Sequence, residues 1–179
     1  RIMSRTGNKE INTTGCELTL NNDQLSITSK AGTLTVPISR NLKIETSENI
    51  LIVKRINDSK KSKELHGLTR TLINNAVIGL TQGYTKKMYL QGIGYRVQQK
   101  GNNLEFSLGY SHPINFELVN GVTAKVEGTD KFTLTSIDKQ LIGQVCANIK
   151  SLRKKDSYKG KGIFFDGETI KKKPGKSVK

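Results

Sequence analysis

Apolar and polar residues alternate along much of the chain, and the alternation gives way to a helical spacing in two places. The first alternating series is Leu18/Leu20, Leu25/Ile27, Leu34/Val36/Ile38, Leu42/Ile44 and Ile50/Ile52. Period-two spacing puts every second side chain on one face, which predicts half-buried antiparallel strands. Apolar residues then recur at spacings of three and four, at Leu65, Leu68, Leu72, Ala76 and Leu80. This spacing predicts a helix with one apolar stripe, capped by Ser59 or Ser62 and ended by Gly83.

The same order of elements occurs a second time. The second alternating series is Met88/Leu90, Leu104/Phe106/Leu108, Ile114/Phe116/Leu118, Val122/Ala124/Val126 and Phe132/Leu134. A helix is predicted after it, with Asp138 near its start and one apolar face made by Leu141, Val145, Ile149 and Leu152. Leu25 of the first series aligns with Leu104 of the second, so the chain contains an internal repeat.

Strands followed by a single helix predict an α+β protein. We therefore expect two tandem homologous domains, each an antiparallel sheet packed by one helix, plus an extended basic C-terminal arm. The expected bounds are residues 1–82 for the first domain, 83–153 for the second and 154–179 for the arm. Domains of this size bury only about 60% of their unfolded surface, so neither is expected to be very stable alone.

Charge is the most unusual feature of the composition. The 179 residues include 30 Lys and Arg against 15 Asp and Glu, a formal net charge of +15. Eleven of the basic residues and three of the acidic ones lie between Lys150 and Lys179, which gives this segment +8. Such an excess favours a polyanionic partner. No apolar run approaches the ~20 residues of a membrane helix, so no membrane association is expected.

Other chemistry finds little support in the residues. Gly92-Ile93-Gly94 opens like a dinucleotide-binding fingerprint, but Val97 stands where the third glycine belongs and a strand is predicted to follow. Cys16 and Cys146 are too few for a metal-binding quartet. His66 and His112 have no companion acid or nucleophile that the sequence can identify. We expect no enzyme, no cofactor and no metal site.

The segment Tyr158–Ile163 suggests how an anion is bound. Lysine and glycine alternate there, so ammonium groups alternate with a backbone bare enough to approach a sugar–phosphate chain. Tyr158 can stack on a base or hydrogen-bond to a phosphate. A solvated, disordered tail is the alternative, but the apolar residues Ile163, Phe164 and Phe165 favour an arm that becomes ordered on RNA. The expected contacts are Arg153, Lys154, Lys155, Tyr158, Lys159, Gly160, Lys161, Gly162, Lys171, Lys172, Lys173 and Lys176, with His66, Arg70, Ser111 and His112 as secondary candidates.

Several ordered motifs together resemble one family, that of protein six of the large ribosomal subunit in its bacterial or organellar form. The motifs are His66–Leu72, Asn75–Gly79, Gly83–Lys87, Gly92–Arg96, Leu108–Pro113, Asp138–Gln140, Gly143-Gln144 and Tyr158–Ile163. One departure is Phe164, which stands where a basic residue is common in the family.

The resemblance implies a structural protein that binds large-subunit rRNA, mostly through its second domain and tail. It also implies a place near the sarcin–ricin region and the stalk base, beside neighbouring ribosomal proteins and the elongation-factor site. The sequences of Gln91–Tyr95, Gly109–His112 and Asp166–Glu168 are similar to plastid and cyanobacterial versions, and a plastid ribosome is favoured over a mitochondrial or bacterial one. The alternative function is a non-ribosomal basic scaffold that binds acidic proteins or anionic lipid.

Overall fold

The chain forms two compact units in a computed structural model that describes residues 6–21 and 23–175. The first unit comprises the described residues up to Gly83 together with Ile137–Lys139, and the second comprises Tyr84–Ser136 and the described residues from Gln140 onward. The elements of the first are β1 Ile11–Asn12, β2 Glu17–Asn21, β3 Gln24–Ser29, β4 Gly32–Pro37, β5 Leu42–Ser47, β6 Ile50–Arg55 and α1 Lys60–Thr81. Those that follow are β7 Tyr84–Gln91, β8 Arg96–Lys100, β9 Asn103–Ser107, β10 Ile114–Glu117, β11 Val122–Glu127, β12 Lys131–Ser136, α2 Lys139–Leu152 and β13 Gly162–Phe165.

The α+β class and the internal repeat are both confirmed. In the first unit the sheet orders are β5-β6-β1 and β2-β3-β4, and in the second they are β11-β12-β7-β13 and β8-β9-β10. The pairings are antiparallel throughout, and the two units correspond strand by strand except for β13. Each unit therefore has two small sheets instead of the single sheet expected. Alternation identifies strands, but it does not say which strands pair.

The buried face of α1 differs from the stripe predicted from its leucines. Leu68, the second residue of that stripe, is 55% exposed, whereas Ile73, which was not part of the stripe, is fully buried. The residues of α1 that are buried are Ser62, His66, Thr69, Ile73, Ala76, Val77, Gly79 and Leu80. Half-buried Leu65 and Leu72 pack at the margin of the core. Ala76 and Leu80 of the stripe are buried as predicted, but the first half of the buried face is polar, and a prediction from apolar residues alone could not identify it.

The ends of α1 agree with the sequence, and α2 is close to expectation. Ser59 caps α1 by accepting a hydrogen bond from the Ser62 N–H, and Gly83 adopts φ +74° just after the C-cap. The buried residues of α2 are Ile142, Val145, Cys146 and Ile149. Neither of these helices, which are those found in the described residues, is long and apolar enough to cross a bilayer.

The predicted arm does not begin where the sequence suggested. Residues Gly162–Phe165 form β13, which pairs antiparallel with β7 as the fourth strand of that sheet. Ile163 and Phe164 are buried, and the Phe164 ring stacks on that of Tyr89 with centroids 5.2 Å apart. Ile163 joins the core of the second unit, and β13 covers the edge of the sheet along β7. Thus only residues beyond β13 remain candidates for an extended arm, and 176–179 lie outside the described residues.

The corrected face of α1 can be tested by unfolding in urea. Ile73→Ala should lower the free energy of unfolding by about 2–4 kcal/mol, because it leaves a cavity in a closed core. Leu68→Ala on the same helix is the control and should change it by less than about 0.5 kcal/mol. Equal losses from the two variants would restore the leucine stripe as the buried face.

Candidate nucleic-acid interface

A closed loop joins α2 to β13, and we call residues 153–161 the basic loop. Its centre is the Asp156 carboxylate, which accepts hydrogen bonds from the N–H groups of Tyr158 at 2.9 Å and Lys159 at 3.1 Å. Those two bonds lower the pKa of Asp156. The Asp156 N–H donates to the Lys161 carbonyl at 2.8 Å, and the Gly160 N–H donates to the Asp156 carbonyl at 2.9 Å. The loop is therefore folded through its own backbone.

The two glycines of the basic segment have a role inside the protein. Gly160 and Gly162 are buried, with φ of +68° and +144°. A Cβ on Gly162 would lie 2.7 Å from the Lys155 Cα, so only glycine lets the two backbone segments come this close. The sequence suggested that these glycines bare the backbone to RNA. In the structure, the absence of a side chain at these positions instead allows the loop to pack closely against β13.

A second lysine-rich segment runs beside the basic loop. The Lys173 N–H donates to the Ser157 carbonyl at 2.9 Å, which holds the segment against the loop. We call the lysines of the two segments other than Lys155, together with Tyr158, the basic surface: Lys154, Tyr158, Lys159, Lys161, Lys171, Lys172 and Lys173. Among the described residues, none of these lysines forms an ion pair. Their charge is therefore available to an external anion.

Tyr110 connects the turn at 109–113 to the end of α2. Its hydroxyl donates to the Leu152 carbonyl at 3.1 Å, and the Arg153 guanidinium lies 4.7 Å from the centre of its ring. Hydrogen bonds with Tyr110 and Tyr95 raise the pKa of Arg153, which remains a cation. Ser111 and His112 follow Tyr110 and are exposed. These two candidates thus lie in the turn that Tyr110 joins to the start of the basic loop.

Glu168 is an acidic residue of the site that the sequence did not single out. Its carboxylate lies 2.6 Å from Lys150 Nζ and 2.8 Å from Lys155 Nζ, and it accepts a hydrogen bond from the Phe165 N–H at 3.2 Å. The two lysines hold its pKa down, from an ordinary 4.5 to about 2. Lys155 was expected to contact RNA, but in the structure its ammonium group is bound to Glu168.

Two candidates in the first unit have structural partners instead. His66 is only 2% exposed, and its Nε2 lies 2.7 Å from the Val53 carbonyl oxygen, so Nε2 carries the donated proton. Arg70 donates to the backbone carbonyls of Lys9 at 3.2 Å and Glu10 at 3.1 Å. His66 is thus too deep for an RNA contact, and Arg70 orders the chain leading into β1. Lys176 lies outside the described residues.

The chemistry of the basic surface is that of an anion-binding site. It offers exposed ammonium groups and an exposed phenol at Tyr158, and the guanidinium of Arg153 lies on the same loop. Within residues 6–21 and 23–175, no group of three His, Cys, Asp or Glu side chains is arranged to hold a metal ion. Cations spaced along a fixed loop suit a chain of phosphates.

A repeated α+β unit with cations gathered on one loop is typical of a protein that binds RNA in a structural role. The chain belongs to the ribosomal protein L6 family, whose model matches residues 14–83 and again 91–165. It is thus a protein of the large ribosomal subunit that binds rRNA, as the sequence resemblance implied. The second match ends at Phe165, the last residue of β13, so β13 is part of the family's second repeat.

The ion pairs of Glu168 predict a dependence of stability on pH. Because its folded pKa is about 2 and its ordinary value is 4.5, its contribution should be complete above pH 4.5 and be lost as the pH falls towards 2. Allowing for solvent screening, we expect Glu168→Gln to lower the free energy of unfolding near neutral pH by about 1–2 kcal/mol. Urea unfolding across this range should show the gap between variant and wild type closing in acid. A gap independent of pH would contradict the ion-pair origin.

Proposed function

We propose that the second unit makes the principal rRNA contact of this large-subunit protein, through the basic surface. The observation that carries the proposal is the set of exposed, unpaired lysines on a loop fixed by Asp156 and Gly162. Like charges crowded in this way repel one another. A fold that nevertheless holds them together favours a ligand that carries several negative charges.

The lysines supply affinity in a way that depends on salt. Each phosphate neutralised by a lysine releases condensed counterions, so each contact steepens the fall of affinity with salt by ~0.9 in log–log slope on duplex RNA or DNA. Lys154 and Lys159 are exposed on the basic loop, and Lys171–Lys173 are exposed beside it. These positions are the proposed phosphate contacts, and Lys161, which is half-buried, lies among them.

Tyr158 adds a contact of a different kind. Its side chain is 62% exposed in the middle of the cationic loop, although its backbone N–H is fixed by Asp156. An aromatic ring held in this way can stack on an unpaired base or donate its hydroxyl proton to a phosphate oxygen. Arg153, which lies against the Tyr110 ring, and the exposed residues Ser111 and His112 that follow Tyr110 are proposed as secondary contacts.

Removing two of the loop lysines tests the assignment. Lys159→Ala combined with Lys161→Ala should weaken binding to transcribed large-subunit rRNA and flatten the log–log salt slope by about one to two units, as two phosphate contacts are lost. Binding constants measured across a salt series give this slope directly.

The matched control removes the same charge elsewhere. Lys30 and Lys43 are exposed residues of the first unit that form no ion pair within the described chain. Lys30→Ala combined with Lys43→Ala should leave the slope close to that of the wild type. If both double variants flatten it equally, only net charge matters and the basic loop has no special role.

We also propose the finer location that the family resemblance implies. The basic surface would lie near the sarcin–ricin region and the stalk base, among neighbouring large-subunit proteins and close to where elongation factors bind. Family membership supports this reading over a non-ribosomal scaffold for acidic proteins or anionic lipid. We propose a plastid ribosome ahead of a mitochondrial or bacterial one, because the sequences of Gln91–Tyr95 and Asp166–Glu168 resemble plastid versions.

The location can be mapped with a tethered radical source. In a Cys16→Ser background, which removes the half-buried thiol, Tyr158→Cys would carry an iron chelate into reconstituted large subunits. We expect hydroxyl radicals to cut the rRNA in the sarcin–ricin region and at the stalk base. Lys30→Cys in the first unit is the control and should give a different pattern. Cuts from position 158 that avoid both regions would refute the proposed location.

A further inference from the structure

Glu168 stands at the junction of the elements that support the basic loop. Its carboxylate binds Lys150 on the last turn of α2, Lys155 inside the loop and the Phe165 N–H on β13. Its backbone carbonyl accepts a hydrogen bond from the Tyr89 hydroxyl on β7 at 3.2 Å. One residue therefore contacts the loop, the two elements that flank it and the strand next to β13.

The carboxylate also completes the outer edge of the sheet. β13 pairs with β7 on one side only, so its other side presents backbone N–H groups. The Ile163 N–H donates to the Arg153 carbonyl at 3.2 Å, and the Phe165 N–H donates to Glu168. The first bond joins the two ends of the basic loop, and the second holds the Glu168 side chain against the end of β13.

We propose that Glu168 is a positioning residue for RNA binding, which fixes the loop so that its unpaired lysines face the ligand in a set arrangement. The inference rests on the proposed function of the basic surface. Glu168 binds Lys150 and Lys155, whereas Lys154, Lys159 and Lys161 form no ion pair with any described residue. An acidic residue in a phosphate-binding region would ordinarily oppose binding. Here it favours binding, because it orders the loop before the RNA arrives.

Neutralising the Glu168 carboxylate would affect RNA binding in two ways, by releasing Lys155 and by releasing the loop, and the two effects differ in size. Releasing Lys155 offers the RNA at most one more phosphate contact. Releasing the loop, by contrast, adds conformational freedom to every lysine on it, and that freedom must be lost again on binding. The sum favours weaker binding when Glu168 is neutralised, even though the net charge of the protein rises.

The neighbouring Asp166 provides a matched control for charge. It is exposed two residues away, and its carboxylate forms no ion pair within the part of the chain that is described. Asp166→Asn and Glu168→Gln each remove one negative charge from the same stretch of chain. If only net charge matters, both variants should bind RNA slightly more tightly. If Glu168 is a positioning residue, Glu168→Gln should bind more weakly, whereas Asp166→Asn should not.

The experiment measures binding of the full chain to transcribed large-subunit rRNA across a salt series, well below the unfolding temperature of each variant. We expect Glu168→Gln to weaken binding about three- to tenfold through lost preorganisation, and Asp166→Asn to leave it equal or tighter. Tighter or unchanged binding by Glu168→Gln would overturn the inference.

Glu168→Asp keeps the idea testable if the glutamine variant does not fold. Aspartate keeps the charge, but its shorter side chain cannot reach both lysines and the Phe165 N–H together. Its binding should be weaker than that of the wild type, and equal binding would overturn the inference. The proposed function fails separately, if the wild type shows no salt-dependent binding or if Lys159→Ala with Lys161→Ala leaves the slope unchanged.

Discussion

Mutual repulsion among closely spaced lysines is the constraint that the second unit is built around. Backbone hydrogen bonds alone do not remove that repulsion, so the fold places carboxylates where they organise the chain without covering every cation. Asp156 binds the N–H groups of Tyr158 and Lys159 inside the loop, and Glu168 binds Lys150 and Lys155 at its base. The acids are few, and each serves the geometry of the surface that they leave positive.

The repeat explains why only one of the two units carries this surface. The units share their strand order, and β1 of the first corresponds to β7 of the second. β7 is eight residues long and supports β13, whereas β1 has two residues and, among the described residues, pairs only with β6. A long edge strand gives the chain after α2 a place to attach, and the basic loop exists because of that attachment. The same strand arrangement thus forms an α+β unit in the first half of the chain and also supports the basic loop in the second half.

The sequence predicted most of the strands, both helices and the region of positive charge, because alternation and helical spacing are local signals. It misplaced the buried face of α1, since polar His66 is buried through a hydrogen bond to the distant Val53 carbonyl. It also assigned β13 to an arm, because three consecutive apolar residues are too short a pattern to reveal a partner strand about seventy residues earlier. These errors share a cause: each depends on contacts between segments far apart in the chain.

The site shows the same limit in its glycines and acids. Counting charge identified the lysines, but it treated Gly162 as an opening for RNA and gave no role to Glu168. A Cβ at Gly162 would collide with the Lys155 backbone, and Glu168 binds the Lys155 ammonium, so both residues act on the same turn of the loop. Lys154 and Lys159 belong to the same loop as Lys155, so the shape of this cationic loop depends partly on residues that carry no positive charge.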